Sequence, residues 1–389
     1  MGSQDPATTW MEGQPLISYH EVRDISPAKA RELVRRVLKS NGGNVSRTSD
    51  ILCISRKTVR RARDGDLKDQ SRRPLRSPNK TEEGLENLIV KEGRRTGFRY
   101  RRLTGYMKLK YNLILDEDTV KAILKRNGIK KRTRKAASGS RRALYDYEAL
   151  MPFEFLQLDT KHLLDKSALP LDVYEHMKEK GLPQYEWNLI DACTRARFTA
   201  YSHELSATFG FMFILFSMLW LRAHNVRNSI RIRMDNGSEF CSGSQRKLNE
   251  WNKSFSHLDV SLHPIPPGAK YLNALVENSH RADDECFLII HAERCPDTKA
   301  FMNKAQRWQD TWNYYRASYG IAMNGMTPNE KQLSKMTLIN SKILKFPVLL
   351  MEDMLRSVGY LLQTLKYKST GTYVHTTCRF QLISFFQLF

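Results

Sequence analysis

In the stretch "RMDNGSEF", residues 233–240, an acid stands where an extended segment gives way to a turn. Ile230, Ile232 and Met234 alternate with Arg231, Arg233 and Asp235, the period-two pattern of a half-buried strand, and Asn236-Gly237 is a turn signal. A second such pattern, "FEFLQLDTKH" (153–162), is expected to be a strand ending in Asp159, with Phe155, Gln157 and Asp159 on one face. A third acid, Glu277, borders the helical apolar stripe of Leu272, Leu275, Val276, Ser279, Cys286 and Phe287, so it can point toward a sheet rather than into solvent. Three carboxylates converging from two strand ends and a helix repel one another, and divalent cations are the usual reason to tolerate that. Hard oxygen ligands suit Mg²⁺ or Mn²⁺. Two such ions about 4 Å apart can activate the attacking oxygen and stabilise the leaving oxygen of a phosphodiester in an in-line displacement. Each acid alone is weak evidence, because a lone strand-end Asp is more often a turn residue. The set is stronger than its members.

The elements that must hold these acids are legible from about residue 150 onward. "EWNLIDACTRARFTAYS" (186–202) reads as two strands with a turn near Thr194-Arg195, 206–223 as an apolar helix, 229–235 and 258–267 as strands, and helices follow from about 271. Strand-rich sequence followed by alternating strand and helix implies a mixed α/β sheet domain. The longest apolar run, Ala207–Leu221, is too short for a membrane span and reads as a buried helix.

Acids that hold metal make sense in a chain whose remaining surface holds a polyanion. The 389 residues contain 63 Lys+Arg against 41 Asp+Glu, a formal net charge of +22, which points to nucleic acid. Residues 1–150 account for about 35 of the cations and about 18 of the acids, so most of the excess lies there. Within 27–64, Ala30, Leu33, Val34 and Leu38 have helical spacing, Asn41-Gly42-Gly43 stops that helix, and a second runs about Val45–Leu52. Ser55 is a good N-cap for a third, "RKTVRRARDG", which carries Arg56, Lys57, Arg60, Arg61 and Arg63. This is a helix-turn-helix pattern, and its basic density favours DNA over an ordinary charged helical bundle. Residues 82–129 give three more helices, the last ending at Asn127-Gly128, and look like a second helical DNA-binding unit. "LKDQSRRPLRSPNKT" (67–81) and "KKRTRKAASGSRR" (130–142) read as linkers.

The order D, then DNGSEF, then a helical Glu after a Pro-Gly stretch resembles the DDE transposases of bacterial insertion sequences, which share the retroviral-integrase (RNase H-like) core. "LDTKHLLD", "GAKYLNALVENSHRADDECF", "GMTPNEK", the tandem helix-turn-helix units and "SRRPLRSP" are similar to that group as well, over roughly residues 18–350. The resemblance implies a catalytic triad of Asp159, Asp235 and Glu277 that holds Mg²⁺ or Mn²⁺, two ions, cleaves DNA to a free 3′-OH and joins that hydroxyl to target DNA. It also implies that His280, Arg281, Lys161 and His162 lie near DNA or orient the carboxylates. The partners implied are double-stranded DNA, both element ends and target, and a homodimer or larger synaptic complex. A cytoplasmic, nucleoid-associated setting in a bacterium or archaeon, with no membrane, is expected. Six irregularly spaced cysteines form no disulfide framework and fit a reducing compartment, and no secretory signal is visible.

Three departures stand against the resemblance. About 41 residues separate Asp235 and Glu277, more than is common in that group. Residues 163–186 form a long connection that can cover the site. The apolar end "CRFQLISFFQLF" has no match, and a frameshifted or truncated terminus or an oligomer contact would explain it.

Rival readings follow other residues. His280, Cys286, His291 and Cys295 suggest zinc, but their spacing fits no compact ligand pattern. Asp165, Asp191, Glu239, Asp283 and Asp284 are rival metal acids, Asp191 first among them. The expected organisation is a disordered 1–19, helix-turn-helix 20–66, linker 67–81, second helical unit 82–129, basic linker 130–149, RNase H-like core 150–340 and a tail 341–389 of uncertain fold. The expected function is a transposase. The alternative is a DNA-binding protein on the same fold without turnover, and a simple nuclease is a third reading that the N-terminal DNA-binding units argue against.

Overall fold

A computed structural model describes residues 10–11, 14–15, 18–69, 80–129, 145–336 and 341–359. The linker expected at 67–81 and the basic linker at 130–149 fall mostly outside the described residues, as does the apolar end of the chain. The chain divides into two compact units, residues 1–80 and 81–389.

In the first unit Trp10–Met11 pairs antiparallel with Gln14–Pro15. Four helices follow: α1 Tyr19–Ile25, α2 Pro27–Ser40, α3 Val45–Ile51 and α4 Arg56–Asp64. Each start is set by a side-chain cap. Ser26, Asn44 and Ser55 accept from the backbone N–H groups of Lys29, Arg47 and Thr58. Gly43, at φ 80°, donates to the Leu38 carbonyl and closes α2 in a conformation that a side chain would strain. Ala30, Val34, Val37 and Leu38 of α2 bury against Leu52, Val59 and Ala62.

The second unit begins with three helices, α5 Glu83–Thr96, α6 Tyr100–Tyr111 and α7 Glu117–Arg126. They do not form a separate body. Phe98 meets Trp308 at 6.2 Å between ring centroids, Tyr106 meets Tyr315 at 5.9 Å, and Arg102 donates to the Ala317 carbonyl. Ile89, Leu103, Val120 and Ile123 belong to the same apolar cluster as Val276, Phe287 and Trp312. The sequence shows three good helices but not that their apolar faces are completed by residues two hundred positions away.

The sheet strands are β1 Phe155–His162, β2 Tyr185–Asp191, β3 Arg197–Ser202, β4 Ile230–Met234, β5 Val260–Pro264 and β6 Leu349–Leu350. Their order is β5-β4-β1-β2-β3-β6. The β1-β2-β3 pairs are antiparallel, and β1-β4, β4-β5 and β3-β6 are parallel. A meander of three strands continued by two parallel ones is the mixed sheet expected of an RNase H-like core. The core also runs past residue 340, the boundary expected from sequence: Ile343, Leu344, Phe346 and Met351 are buried in it, and β6 extends the sheet. Residues 351–359 are helical.

Alternation gives the sheet two chemically different faces. Leu156, Leu158, Trp187, Leu189, Phe198 and Ala200 face α9 (Ala207–Ala223) and α10 (Gln245–Ser256) in a dry core with Phe213, Ile214 and Phe255. The opposite face carries Gln157, Asp159, Glu186, Asn188 and Arg197, and against it lie α11 (Ala274–Asp283) and α12 (Thr298–Tyr315). Between β1 and β2 the connection forms α8 (Leu171–Glu179), whose His176 ring bonds the Cys295 carbonyl. A further helix, α13 (Pro328–Lys335), starts on a Thr327–Glu330 capping box. No helix among the described residues is long and apolar enough to cross a membrane.

Candidate active site

β1 and β4 run parallel, with Gln157 opposite Arg233. Carried two residues further, that register sets Asp159 beside Asp235. The two acids do not both end strands, as the alternation suggests. Asp235 follows the last residue of β4, but Asp159 is in mid-strand, because β1 keeps its ladder with β2 through Lys161 and His162 after β4 has stopped. Asp159 therefore stands in the cleft where one neighbouring strand ends and the other continues.

Asp235 is held in a tight turn. Its Oδ1 accepts from the Gly237 N–H at 3.1 Å, and Asn236 donates to the Ile265 carbonyl at 2.8 Å. A Cβ on Gly237 would meet the Glu239 carboxylate, so a side chain there would displace that acid. Burial pushes the Asp235 carboxyl up to about 6, and the neighbouring Asp159 and Glu239 charges add to the shift. Glu277, on the first turn of α11, is also raised, by partial burial and then by Asp159. Lys270 offsets both, and sequence reasoning did not single it out.

The helix that carries Glu277 is docked on the sheet by polar contacts. The Gln157 side chain accepts from Leu275 N–H at 3.1 Å and donates to the Leu272 carbonyl at 2.9 Å. Asn273 donates to the Leu158 carbonyl at 3.0 Å, and Asn188 to Ser279 Oγ at 2.8 Å. Beyond Asp283 the helix widens into a five-residue π turn, Asp284–Leu288.

The residues expected to meet DNA divide sharply. His280 is buried, with Nε2 3.5 Å from Asp159 and Nδ1 3.6 Å from Glu186. Neither ring nitrogen makes a hydrogen bond, so these are charge contacts. Burial disfavours the imidazolium, yet the two carboxylates raise its pKa to about 9. His280 thus faces the Asp159 and Glu186 carboxylates inside the protein and not the solvent. Lys161 is likewise withdrawn: its ammonium bonds the Asp284 carboxylate and the His280 carbonyl. Arg281 and His162 are exposed. In the first unit Arg56, Lys57, Arg60 and Arg61 are all exposed on α4, with Val59 and Ala62 turned inward.

The rival acids separate in the same way. Asp191 is buried at the β2–β3 turn and accepts from Phe153 N, Thr194 N and Thr194 Oγ1, so it closes a turn and is no substitute for the triad. Asp165 accepts from Ser167 N and Oγ. Asp283 pairs with Arg197 and Asp284 with Lys161. Of the five, only Glu239, which takes the Thr160 hydroxyl, shares the neighbourhood of Asp235. The only three such ligand groups that approach within 4.8 Å of one another among the described residues are Glu186, His280 and Asp283. In that cluster the Asp283 carboxylate is paired with Arg197 and the His280 ring lies between Glu186 and Asp159. Glu186 was missed from sequence. Its signal was a pair of polar side chains, Glu186 and Asn188, alternating on a strand that is buried on both faces.

Residues 31–64, most of α2 through α4, match the helix-turn-helix family described as bacterial regulatory protein, Fis family. No curated protein sequence matches the chain. Among solved structures, the chain is similar to one in the cryoEM structure of the simian T-cell lymphotropic virus intasome in complex with PP2A regulatory subunit B56 gamma. The identity is 15%, the TM-score 0.34, and the match covers 63% of this chain and 72% of that one. It is also similar to the catalytic core domain of BIV integrase, at 17% identity and TM-score 0.31, over 47% of this chain and 95% of that one.

Proposed function

We propose that this chain is a transposase that binds the ends of a mobile element through its helix-turn-helix and cleaves and joins DNA at Asp159, Asp235 and Glu277. The observation that carries the reading is the placement of Asp159 and Asp235 on adjacent parallel strands, with Glu277 within electrostatic range of Asp159. Three oxygen-donor side chains share one negative field, and Asp235 is raised first by burial and then by the Asp159 and Glu239 charges, which Lys270 only partly offsets. That donor set fits Mg²⁺ or Mn²⁺. Two bound ions would supply activation of the attacking oxygen and stabilisation of the leaving one.

The chain's own residues do the rest. Asp159, Asp235 and Glu277 would hold the ions. Gln157, Asn273 and Asn188 fix the helix that presents Glu277. His280 balances Asp159 and Glu186 from behind. Exposed Lys270 lies beside Asp235 and Glu277 and is suited to a DNA phosphate, and Arg281 is exposed one turn beyond Glu277 on the same helix. On α4, four exposed cations supply the phosphate contacts that anchor a helix in a groove. Handling two ends together calls for a dimer or larger assembly.

The test is cleavage and strand transfer with Mg²⁺ or Mn²⁺ on duplexes carrying the element's ends, beside Asp235→Asn. We expect the variant to lose cleavage by about 1,000-fold or more while DNA binding persists, the scale seen when one member of a catalytic set is removed. An unmodified chain that binds the ends yet nicks them under no divalent ion would overturn the catalytic reading and leave a DNA-binding protein on this fold.

A further inference from the structure

We infer that a cationic hollow between α5 and α12 is a phosphate-binding site that takes one backbone phosphate of duplex DNA. The hollow encloses about 120 Å³ and is lined by Arg95 and Thr96 on one side and by His291, Lys304, Arg307, Trp308 and Thr311 on the other. That volume is well below the roughly 300–1,000 Å³ of small-molecule pockets, so it suits a single tetrahedral oxyanion and not a nucleotide.

The chemistry of the lining is one-sided. No Asp or Glu lines the hollow. Arg95 alone has a carboxylate partner, Glu92, behind it. Lys304 donates to the carbonyls of His291 and Arg294, neutral acceptors that leave its charge uncompensated. Arg307 is exposed at the mouth and forms no ion pair among the described residues. The Thr96 and Thr311 hydroxyls, on buried residues, are spent on the carbonyls of Glu92 and Arg307, so the donors left for an oxyanion are those of Lys304 and Arg307. Burial first, and then the charges of Lys304, Arg95 and Arg294, lower the His291 pKa to about 4, so the ring is neutral there. Lys304 and Arg307, the two cations without a carboxylate partner, repel one another, and a bound oxyanion relieves that repulsion. Charge-assisted bonds from Arg and Lys to phosphate are the strong ones.

The source of the phosphate distinguishes two ligands. A free phosphate would need only the hollow. A DNA phosphate must reach it from the surface, and the exposed Arg307 and the 36% exposed Arg95 side chain provide that edge. The DNA assignment rests on the reading of the chain as a DNA-handling protein, whereas the oxyanion site itself does not.

The experiment uses the full chain, with Arg307→Ala and Lys304→Gln. Inorganic phosphate is titrated against the His291 ring resonances, and the affinity for a generic duplex is measured against salt. We expect phosphate to shift His291 in the unmodified chain and not in the double variant. We also expect Arg307→Ala to reduce the slope of log affinity against log salt by about 0.9, one phosphate contact. At matched ionic strength, phosphate should compete with the duplex in the unmodified chain only. Phosphate binding with an unchanged DNA slope would overturn the DNA assignment. No phosphate-dependent shift at His291 would overturn the site. Neither result depends on whether the chain cleaves DNA.

Discussion

The His280 imidazole approaches the Asp159 carboxylate to 3.5 Å from inside the protein, with Glu186 at 3.6 Å from its other nitrogen. A buried cation therefore stands between a structural acid and an acid of the candidate site. Its pKa is raised to about 9 in the folded chain from an ordinary 6.5. Between those values the folded chain binds the proton that the unfolded chain has released, so stability falls as pH rises through that window. The contribution is fully present below pH 6.5 and is about 3 kcal/mol. Urea unfolding of the unmodified chain from pH 6 to 9.5 should show this decline, and His280→Gln should flatten it.

Removing His280 also strands Glu186, whose side chain is completely enclosed. Breaking a buried charge pair on one side costs about 3–5 kcal/mol, and removing both partners costs less. His280→Leu should therefore be less stable than the double variant His280→Leu, Glu186→Leu. If denaturant midpoints rank them the other way, the two residues are not a coupled pair.

Asp235 titrates at about 6 in the folded chain, against an ordinary value of 3.8. The sign is opposite in consequence to a salt-bridged acid: the folded form holds the proton longer, so stability declines as pH rises from about 4 to about 6. Because the carboxylate is partly solvated, the effect is about 1–2 kcal/mol. Above pH 6 the charged site should bind divalent ions. Mn²⁺ at about 100 times its Kd should add about 2.7 kcal/mol, read as a rise in Tm of a few degrees. The rise should shrink at pH 5 and in Asp235→Asn. Equal shifts at both pH values would dissociate ion binding from this acid.

Gln157 joins the sheet to the helix that carries Glu277 through three backbone groups, the N–H groups of Leu275 and Val276 and the Leu272 carbonyl. Gln157→Leu keeps volume but removes the partner of all three, at about 1–3 kcal/mol for each group left unsatisfied. Loss of stability is expected together with a larger fall in kcat than in DNA affinity, because the acid's support is loosened while α4 is untouched. Unchanged turnover in a destabilised variant would confine Gln157 to a packing role.

On α4 the four exposed cations can be neutralised without disturbing Val59 or Ala62 inside. Changing Arg56, Lys57, Arg60 and Arg61 to Ala should leave Tm within about 2–4 °C, since exposed sites away from caps and core contribute little. The salt slope of DNA binding in the full chain should fall by up to about 3.6. A slope that does not change would place the DNA-binding surface elsewhere.

Local chemistry determined much of this protein. Capping serines, Asn41-Gly42-Gly43 and the inward spacing of Val34, Val59 and Ala62 specify the helix-turn-helix, because caps, turns and helical periodicity act within a few residues. Strand alternation and Asn236-Gly237 likewise exposed Asp235, and the helical stripe exposed Glu277. Only the tertiary structure decided what long-range pairing controls. Asp159 proved to lie in mid-strand because β2 continues where β4 stops, which no residue of β1 encodes. His280 and Lys161 look like cations for DNA in the sequence, yet Glu186, Asp159 and Asp284 claim them in three dimensions. Helices α5–α7 read as a free-standing unit, but Trp308, Trp312 and Tyr315 complete their core. Apolar spacing reveals that a face must be covered, and only the fold reveals which distant residues cover it.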